Sequence, residues 1–350
     1  MKTTVSANWL IIGAGPAGIA AVGRLIDHGI SPHEIIWVDP AFKVGDFGEK
    51  WACVSSNTKV NLFTRFLQAS QAFNYNEAPH DFALNHLTPS DTCELSFMVE
   101  PLQWVSNHLG EKVKTKVGQV AHLYMGDHGW YAKLKNDEIL HVKNVIIANG
   151  AEPKKLSHPI SSIDLDISLN KEKLTEHISK DNNIAVFGSS HSSIIVMQHL
   201  IELGVKKITN FYLSPLRYAV YLNQDEILFD DTGLKGSTAL WARKHLHGKL
   251  PDNLIRLIGN EENLQQHLPE CDKAIYTIGF WQRLSLVIEG AELRQYNQHN
   301  GIIAPGLFGF GIGFPPSQED RFGHIEHRVG LWKFMHYLNE ILPIWLAYPV

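Results

Sequence analysis

The sequence predicts an α/β protein made of two similar βαβ-based units, one inserted into the other. Three observations carry that expectation. An apolar run near the N-terminus ends in a glycine-rich turn, a serine-rich copy of the same pattern begins at Asn183, and further buried-strand patterns at Lys143–Gly150 and Ala274–Gly279 each end on glycine.

The first unit opens on the apolar run Trp9–Ile12, followed by G-A-G-P-A-G at positions 13–18. A helical pattern then places Ile19, Val22, Leu25 and Ile26 on one face and stops at Gly29. A second strand pattern, Glu34–Asp39, completes strand, turn, helix and strand within the roughly 30 residues a βαβ unit needs. A lone G-x-G-x-x-G says little, but this one follows a strand, opens a helix and is answered by Asp39 at the end of the second strand. In a nucleotide-binding unit Gly13 makes the tight turn, Gly15 lets backbone approach a pyrophosphate, and Gly18 brings helix and strand together. Asp39 is then the acceptor for the adenosine ribose hydroxyls. A purely structural glycine turn is the alternative.

Residues Val117–Val142 alternate apolar and polar through turns at Gly126–Gly129 and Asn136–Asp137, which predicts a three-stranded antiparallel meander. The run K-N-V-I-I-A-N-G, Lys143–Gly150, reads as a return to the parallel sheet.

The second unit starts with N-I-A-V-F at 183–187, then Gly188, Ser189, Ser190, His191, Ser192 and Ser193, then an apolar helix ending at Gly204. Serines hold the second and third glycine positions, and a serine hydroxyl can still donate to phosphate. The strand Lys207–Leu213 follows, with Arg217 just beyond it. Arg217 either meets a ribose 2′-phosphate or is a solvated surface residue. The segment Gly306–Pro316 is glycine-rich, as expected of backbone that lies against a flat ligand. A final helix is predicted around Ile325–Leu342, its aromatic run packing on the first unit or forming a homodimer contact.

Composition narrows the partners. The 350 residues carry a formal net charge of -5 with no lysine or arginine run, which speaks against nucleic acid and anionic membrane surfaces and for small molecules. No stretch of about 18 apolar residues occurs, Pro343 and Pro349 interrupt the C-terminus, and no cleavable leader is evident, so a cytoplasmic location is expected. Cys53, Cys93 and Cys271 form no C-x-x-C pair, and the 19 histidines include no H-x-x-x-H pair. No metal site and no two-cysteine redox centre is expected.

This order of motifs resembles the two-dinucleotide-binding-domain flavoproteins, the superfamily of disulfide reductases, thioredoxin reductases and flavin-containing monooxygenases. The resemblance covers most of the chain. It implies two Rossmann-like three-layer domains: an FAD-binding domain, 1–155 and 275–350, and an inserted NAD(P)H-binding domain, 156–274. Gly13, Gly15, Pro16, Ala17, Gly18 and Asp39 would hold the ADP half of FAD. Ala148, Asn149 and Gly150 stand as the A-T-G segment that closes the FAD domain, and Gly311 represents the later flavin-side glycine motif. Gly188, Ser190, Ser193 and Arg217 would hold NADPH or NADH, and Gly279 belongs to the exit strand from the inserted domain.

The segment G-D-F-G-E-K-W-A-C-V-S-S-N-T-K, 45–59, is similar to the stretch in flavin-containing and N-hydroxylating monooxygenases where a glycine-tryptophan element precedes an S/T-N-T/S-K motif. By that similarity Trp51 contacts the cofactor and Asn57 lies beside the flavin, where an amide donates and accepts without titrating. An Asx turn capping a helix near Thr58 is the alternative for Asn57. Cys53 in this segment is either an inert, buried thiol or a reactive one near the flavin. Three readings follow: an NAD(P)H-dependent monooxygenase using dioxygen on a small soft nucleophile or carbonyl compound, a reductase or oxidase of a small acceptor, and a non-catalytic FAD-binding protein.

Overall fold

The computed structural model describes residues 5–222, 227–290, 295–320 and 322–348. The chain forms two compact units. One comprises Met1–Ala52, Lys59–Glu152 and Gln282–Val350, and the other Cys53–Thr58 and Pro153–Trp281. The boundaries differ from the expected ones for a physical reason. The strand Lys273–Tyr276 pairs in parallel with Asn183–Phe187 and with Ser161–Ile163, so the chain returns to the first unit after Trp281 rather than at residue 275. The short piece Cys53–Thr58, expected in the first unit, is part of the second.

The first unit is an α/β layer structure. Strand β1 (Val5–Ile12) leads through the glycine turn into helix α1 (Pro16–Asp27), and strand β2 (Ile35–Asp39) lies parallel to β1 with Ile11 opposite Trp37. Lys114–Val117 extends the sheet beyond β2. On the other side of β1 lies the long strand Ile139–Ile147, parallel to it.

The predicted meander, Val120–Gly126, Gly129–Leu134 and Ile139–Ile147, is present. Its third strand runs without a break into the K-N-V-I-I segment, so one strand serves both the meander and the parallel sheet. Where its antiparallel partner ends, Leu307–Gly309 takes over its free edge in parallel register with Val145–Ile147. Alternation along the strands gives each face its own core. Trp9, Ile11, Ile35 and Trp37 pack with α1 and the other helices, while Leu10, Ile12, Ile36 and Val38 pack with the meander.

The final helix is shifted from its expected place. It spans Leu331–Ala347, and Ile325–His327 pairs instead with Ser317–Glu319 as a short hairpin. Gly330, at φ +140°, separates the two because that backbone conformation cannot continue a helix. Pro343 lies inside the helix rather than ending it. Burial of Phe334, Met335, Leu338, Leu342 and Trp345, with the Trp345 indole donating to Asn300 O at 2.6 Å, holds the last turns in place. No helix among the described residues is long and apolar enough to cross a membrane.

The second unit is a parallel sheet ordered Ser161–Ile163, Lys273–Tyr276, Asn183–Phe187, Lys207–Tyr212 and Leu254–Ile258. The helix His191–Glu202 follows its serine-rich turn, as the pattern predicts.

Candidate functional site

In the first unit the turn is built almost entirely from backbone. Gly13, at φ +108°, donates its N–H to Val38 O at 2.8 Å, and a Cβ there would overlap the Ala148 carbonyl. A Cβ on Gly18 would overlap the Gly13 carbonyl oxygen, which is the close helix-strand approach expected of the third glycine. Gly15 is different. Its φ is -74°, and a Cβ would meet only Val44 O, at 3.8 Å. The protein itself therefore does not need glycine at 15; the space beside it is a cradle that a side chain would fill.

Gly15 caps α1 without a side-chain hydrogen bond, and Pro16 opens the helix, so the N–H groups of Ala17 and Gly18 point their dipoles out of the first turn. The cradle, the uncapped helix terminus and the position of Asp39 fit a dinucleotide pyrophosphate.

Asp39 is buried and does more than sequence reasoning expected. Its Oδ2 accepts the Ala14 N–H at 2.7 Å, and its Oδ1 accepts the N–H groups of Ala41 at 2.8 Å and Phe42 at 2.7 Å. The carboxylate braces the turn, and the Trp37 indole adds a hydrogen bond to Gly13 O at 2.8 Å. None of these bonds was legible in the sequence, because any acid or aromatic residue at these positions gives the same pattern.

Two further backbone segments come to this turn. Ala148 donates to Ile12 O at 2.8 Å and leads into Asn149 and Gly150, the latter at φ +77°. A Cβ on Gly311 would stand 2.6 Å from the Ala17 Cβ, and one on Gly313 2.6 Å from Gly150 O, so the glycine-rich segment lies on the first turn of α1 and on the 148–150 turn. The Asn149 Oδ1 is buried without a hydrogen-bond partner, an acceptor left over in the same neighbourhood.

Arg283, which sequence reasoning missed, ties these pieces together. Its guanidinium donates to Asp46 Oδ2 at 2.5 Å and to Asn149 O at 3.1 Å. Trp51 follows the short helix Gly45–Glu49, half-buried, its N–H on Asp46 O at 3.1 Å.

In the second unit Gly188, at φ +126°, repeats Gly13, and a Cβ there would overlap the Thr277 hydroxyl. The two serines differ. Ser193 is fully buried and donates to Gly188 O at 2.9 Å, so its hydroxyl is committed to the turn and is not a phosphate donor. Asn210, also fully buried, donates to the same carbonyl at 2.8 Å and to Val186 O at 3.0 Å. The turn that lost two glycines is rebuilt by side chains. Ser190 is exposed at the N-cap of His191–Glu202 without a capping hydrogen bond, available to a ligand. Gly279, at φ +90°, accepts the Lys154 N–H at 2.9 Å. Arg217 sits with its guanidinium 5.4 Å from the centre of the Phe229 ring.

Asn57 lies in the strand Ser55–Lys59, and the next helix starts at Val60, so the Asx-turn alternative is not taken up; Ser56 makes the local turn, its hydroxyl accepting the Thr58 N–H at 2.7 Å. Cys53 is exposed, contrary to the buried position expected of it. His191 pins this segment within the second unit. Its Nε2 meets Ser55 O at 2.7 Å and its Nδ1 the Thr238 hydroxyl at 2.9 Å, while the Ser55 and Ser237 hydroxyls lie 3.1 Å apart.

A carbonyl only accepts, so Nε2 carries the proton toward Ser55. Burial, with the nearby Lys235 charge, holds His191 below the ordinary value of 6.5, against the pull of the Ser55 hydrogen bond. The folded state thus keeps the ring neutral where the unfolded chain takes up a proton. Stability is fully present above about pH 6.5 and falls as the pH drops through that value toward the folded pKa. Urea unfolding between pH 7 and 5 is expected to show this loss, up to ~1.4 kcal/mol per pH unit for one proton, and a shallower slope in His191→Gln. An unchanged slope in the variant would remove His191 from the account.

The profile of the pyridine nucleotide-disulphide oxidoreductase family matches residues 7–230, well over half of the chain. The chain belongs to that family. It is an α/β flavoprotein oxidoreductase of the two-dinucleotide-binding-domain superfamily. A monooxygenase of Paecilomyces divaricatus is 29% identical over 384 aligned positions, covering 97% of this chain and 97% of that protein. Among solved structures, a flavin-containing monooxygenase from Stenotrophomonas maltophilia covers 99% of both chains with a TM-score of 0.63 at 14% identity. A bacillithiol disulfide reductase from Staphylococcus aureus covers 98% of this chain and 99% of its own with a TM-score of 0.61 at 12% identity. These two likenesses are of fold, and the two proteins that share it are a monooxygenase and a reductase.

Proposed function

We propose that this protein is an FAD- and NAD(P)H-dependent monooxygenase acting on a small soft nucleophile or carbonyl compound. The observation that carries the reading is the near full-length similarity to a monooxygenase, at 29% identity over 97% of both chains. The cysteines agree with it: a dithiol reductase needs two thiols that can exchange, and Cys53, Cys93 and Cys271 are too widely spaced in sequence to form a C-x-x-C pair.

Gly13, Gly15, Ala17, Gly18 and Asp39 would hold the ADP half of FAD, the glycine turn and the first N–H groups of α1 facing the pyrophosphate and Asp39 facing the ribose hydroxyls, for which its Oδ2, accepting one N–H, has a further lone pair. When bound, FAD supplies hydride acceptance and, once reduced, reaction with dioxygen. Asn149, with its unspent Oδ1, is an acceptor for a cofactor N–H or hydroxyl. Asn57 offers an amide that donates and accepts without changing charge, suited to a site where oxygen chemistry must run without a competing proton source. Gly188 and Ser190 at the start of His191–Glu202 would receive the pyrophosphate of the nicotinamide nucleotide.

Anaerobic addition of NADPH or NADH to the yellow protein is expected to bleach the flavin band. Readmission of air with a sulfide, amine or ketone should then consume about one dioxygen per nicotinamide and place one oxygen atom in the product. A flavin that neither nucleotide reduces sinks the proposal and leaves a non-catalytic FAD-binding protein. The exposed Cys53 favours a second reading, a thiol-dependent reductase. That reading gains if turnover requires a small thiol or disulfide and is lost in Cys53→Ser.

A further inference from the structure

The two units repeat one another residue by residue around their glycine turns, and the repeat locates the place where an acid belongs. In the first unit Gly13 N–H donates to Val38 O, the following residue is Asp39, and Asp39 O accepts the Gly118 N–H at 3.0 Å. In the second, Gly188 N–H donates to Phe211 O, the following residue is Tyr212, and Tyr212 O accepts the Gly259 N–H at 2.8 Å. One position earlier, Trp37 and Asn210 donate to the carbonyls of Gly13 and Gly188. Tyr212 therefore stands where Asp39 stands.

An acid at this place accepts the adenosine ribose hydroxyls and repels a phosphate on them; an arginine nearby accommodates that phosphate. The second unit has lost the acid and brought in cations. Arg256, opposite Asn210 on the neighbouring strand, stacks its guanidinium 4.8 Å from the Tyr212 ring centre. Its Nε donates to Asn210 Oδ1 at 2.9 Å, and its Nη2 has no hydrogen-bond partner. Arg243 lies 3.8 Å from the Tyr218 ring centre. Neither arginine forms an ion pair among the described residues, so two positive charges alternate with two tyrosines beside an end of strand that carries no carboxylate.

We propose that the second unit selects a nicotinamide nucleotide bearing a 2′-phosphate, with Arg256 as the main determinant, Arg243 supporting it, and Tyr212 in the place of the acid. This rests on reading the second unit as the nicotinamide-nucleotide domain. It also reassigns the role expected of Arg217: the guanidinium held to the Gly188 turn through Asn210 is that of Arg256. Nη2 is buried without a partner, so a 2′-phosphate is expected to draw the side chain outward on binding.

Calorimetric titration of the flavin-loaded protein with NADP+, NAD+ and 2′,5′-ADP tests this without turnover. NADP+ is expected to bind at least about tenfold more tightly than NAD+, with 2′,5′-ADP competing. Arg256→Gln should weaken NADP+ and 2′,5′-ADP by about 10- to 100-fold while changing NAD+ little, and Arg243→Leu should act in the same direction more weakly. Tyr212→Asp should reverse the preference toward NAD+. Since Arg256 also braces Asn210, flavin content and melting temperature establish that each variant is folded, and Tyr212→Asp leaves that brace in place. Equal wild-type affinity for NADP+ and NAD+, or a Tyr212→Asp variant that keeps the wild-type preference, overturns the assignment while leaving the nicotinamide reading intact. If flavin-loaded protein binds neither nucleotide, the nicotinamide reading itself falls, and the assignment with it.

Discussion

Gly15→Ala is expected to give a well-folded protein that has lost its flavin. The added methyl group would find only Val44 O, at 3.8 Å, and the backbone at φ -74° suits alanine as well as glycine. The apoprotein should therefore be no less stable than the wild-type apoprotein, and up to ~1 kcal/mol more stable through the lower entropy of the unfolded chain. The methyl group would instead occupy the space that a pyrophosphate needs. Flavin content should fall from about one per chain to near zero, read from the absorbance of the purified protein, while the variant apoprotein unfolds at the same urea concentration as the wild-type apoprotein or a slightly higher one. Gly18→Ala is the contrast, since its methyl group overlaps the Gly13 carbonyl and the fold itself must give way. Stoichiometric flavin in Gly15→Ala would remove the pyrophosphate from this turn.

Asp39→Ala is expected to show the opposite signature, a loss of stability already present in the apoprotein. The carboxylate accepts three backbone N–H groups, from Ala14, Ala41 and Phe42, and is itself buried. Removing it strands the buried Ala14 N–H at a cost of ~1–3 kcal/mol and takes the acceptor from the partly exposed Ala41 and Phe42 N–H groups, so the apoprotein should lose roughly 2–3 kcal/mol. Asp39→Asn keeps one accepting oxygen but turns its amide N–H2 toward a donor, and should fall between the two. Flavin binding should weaken in both, because the turn they support holds the ligand. If Asp39 served only the ribose, the wild-type and Asp39→Ala apoproteins would unfold at the same urea concentration.

The pair separates two roles that lie within one short βαβ unit. On the proposed function, glycine at 15 serves the ligand, whereas the acid at 39 braces the turn itself. Only the distances decide this, since a glycine and an acid at these spacings look alike whether they serve ligand or backbone.

The βαβ unit, the meander and the serine-rich second turn were legible because each depends on neighbours in sequence: apolar alternation, a tight turn needing glycine at 13, a helix that starts where the strand stops. The start of the last helix was not, since the apolar pattern of Leu331–Trp345 runs on smoothly from Ile325 and only the backbone of Gly330 marks the break. Asn57 was picked out by its motif, but its placement in the second unit comes from the hydrogen bond of His191, 136 residues from Ser55.

What the sequence by itself determined, then, is the architecture and the existence of two nucleotide-type turns, because local sterics and hydrophobic periodicity act over a few residues and leave a readable trace. Tertiary structure alone decided what each side chain at those turns is committed to. Ser193 and Asn210 spend their donors on Gly188 O, Arg283 reaches Asp46 across 237 positions, and Tyr212 takes the place of Asp39 with Arg256 upon it. Such commitments depend on which partner lies within about 3 Å in space, and spacing along the chain carries no record of that distance.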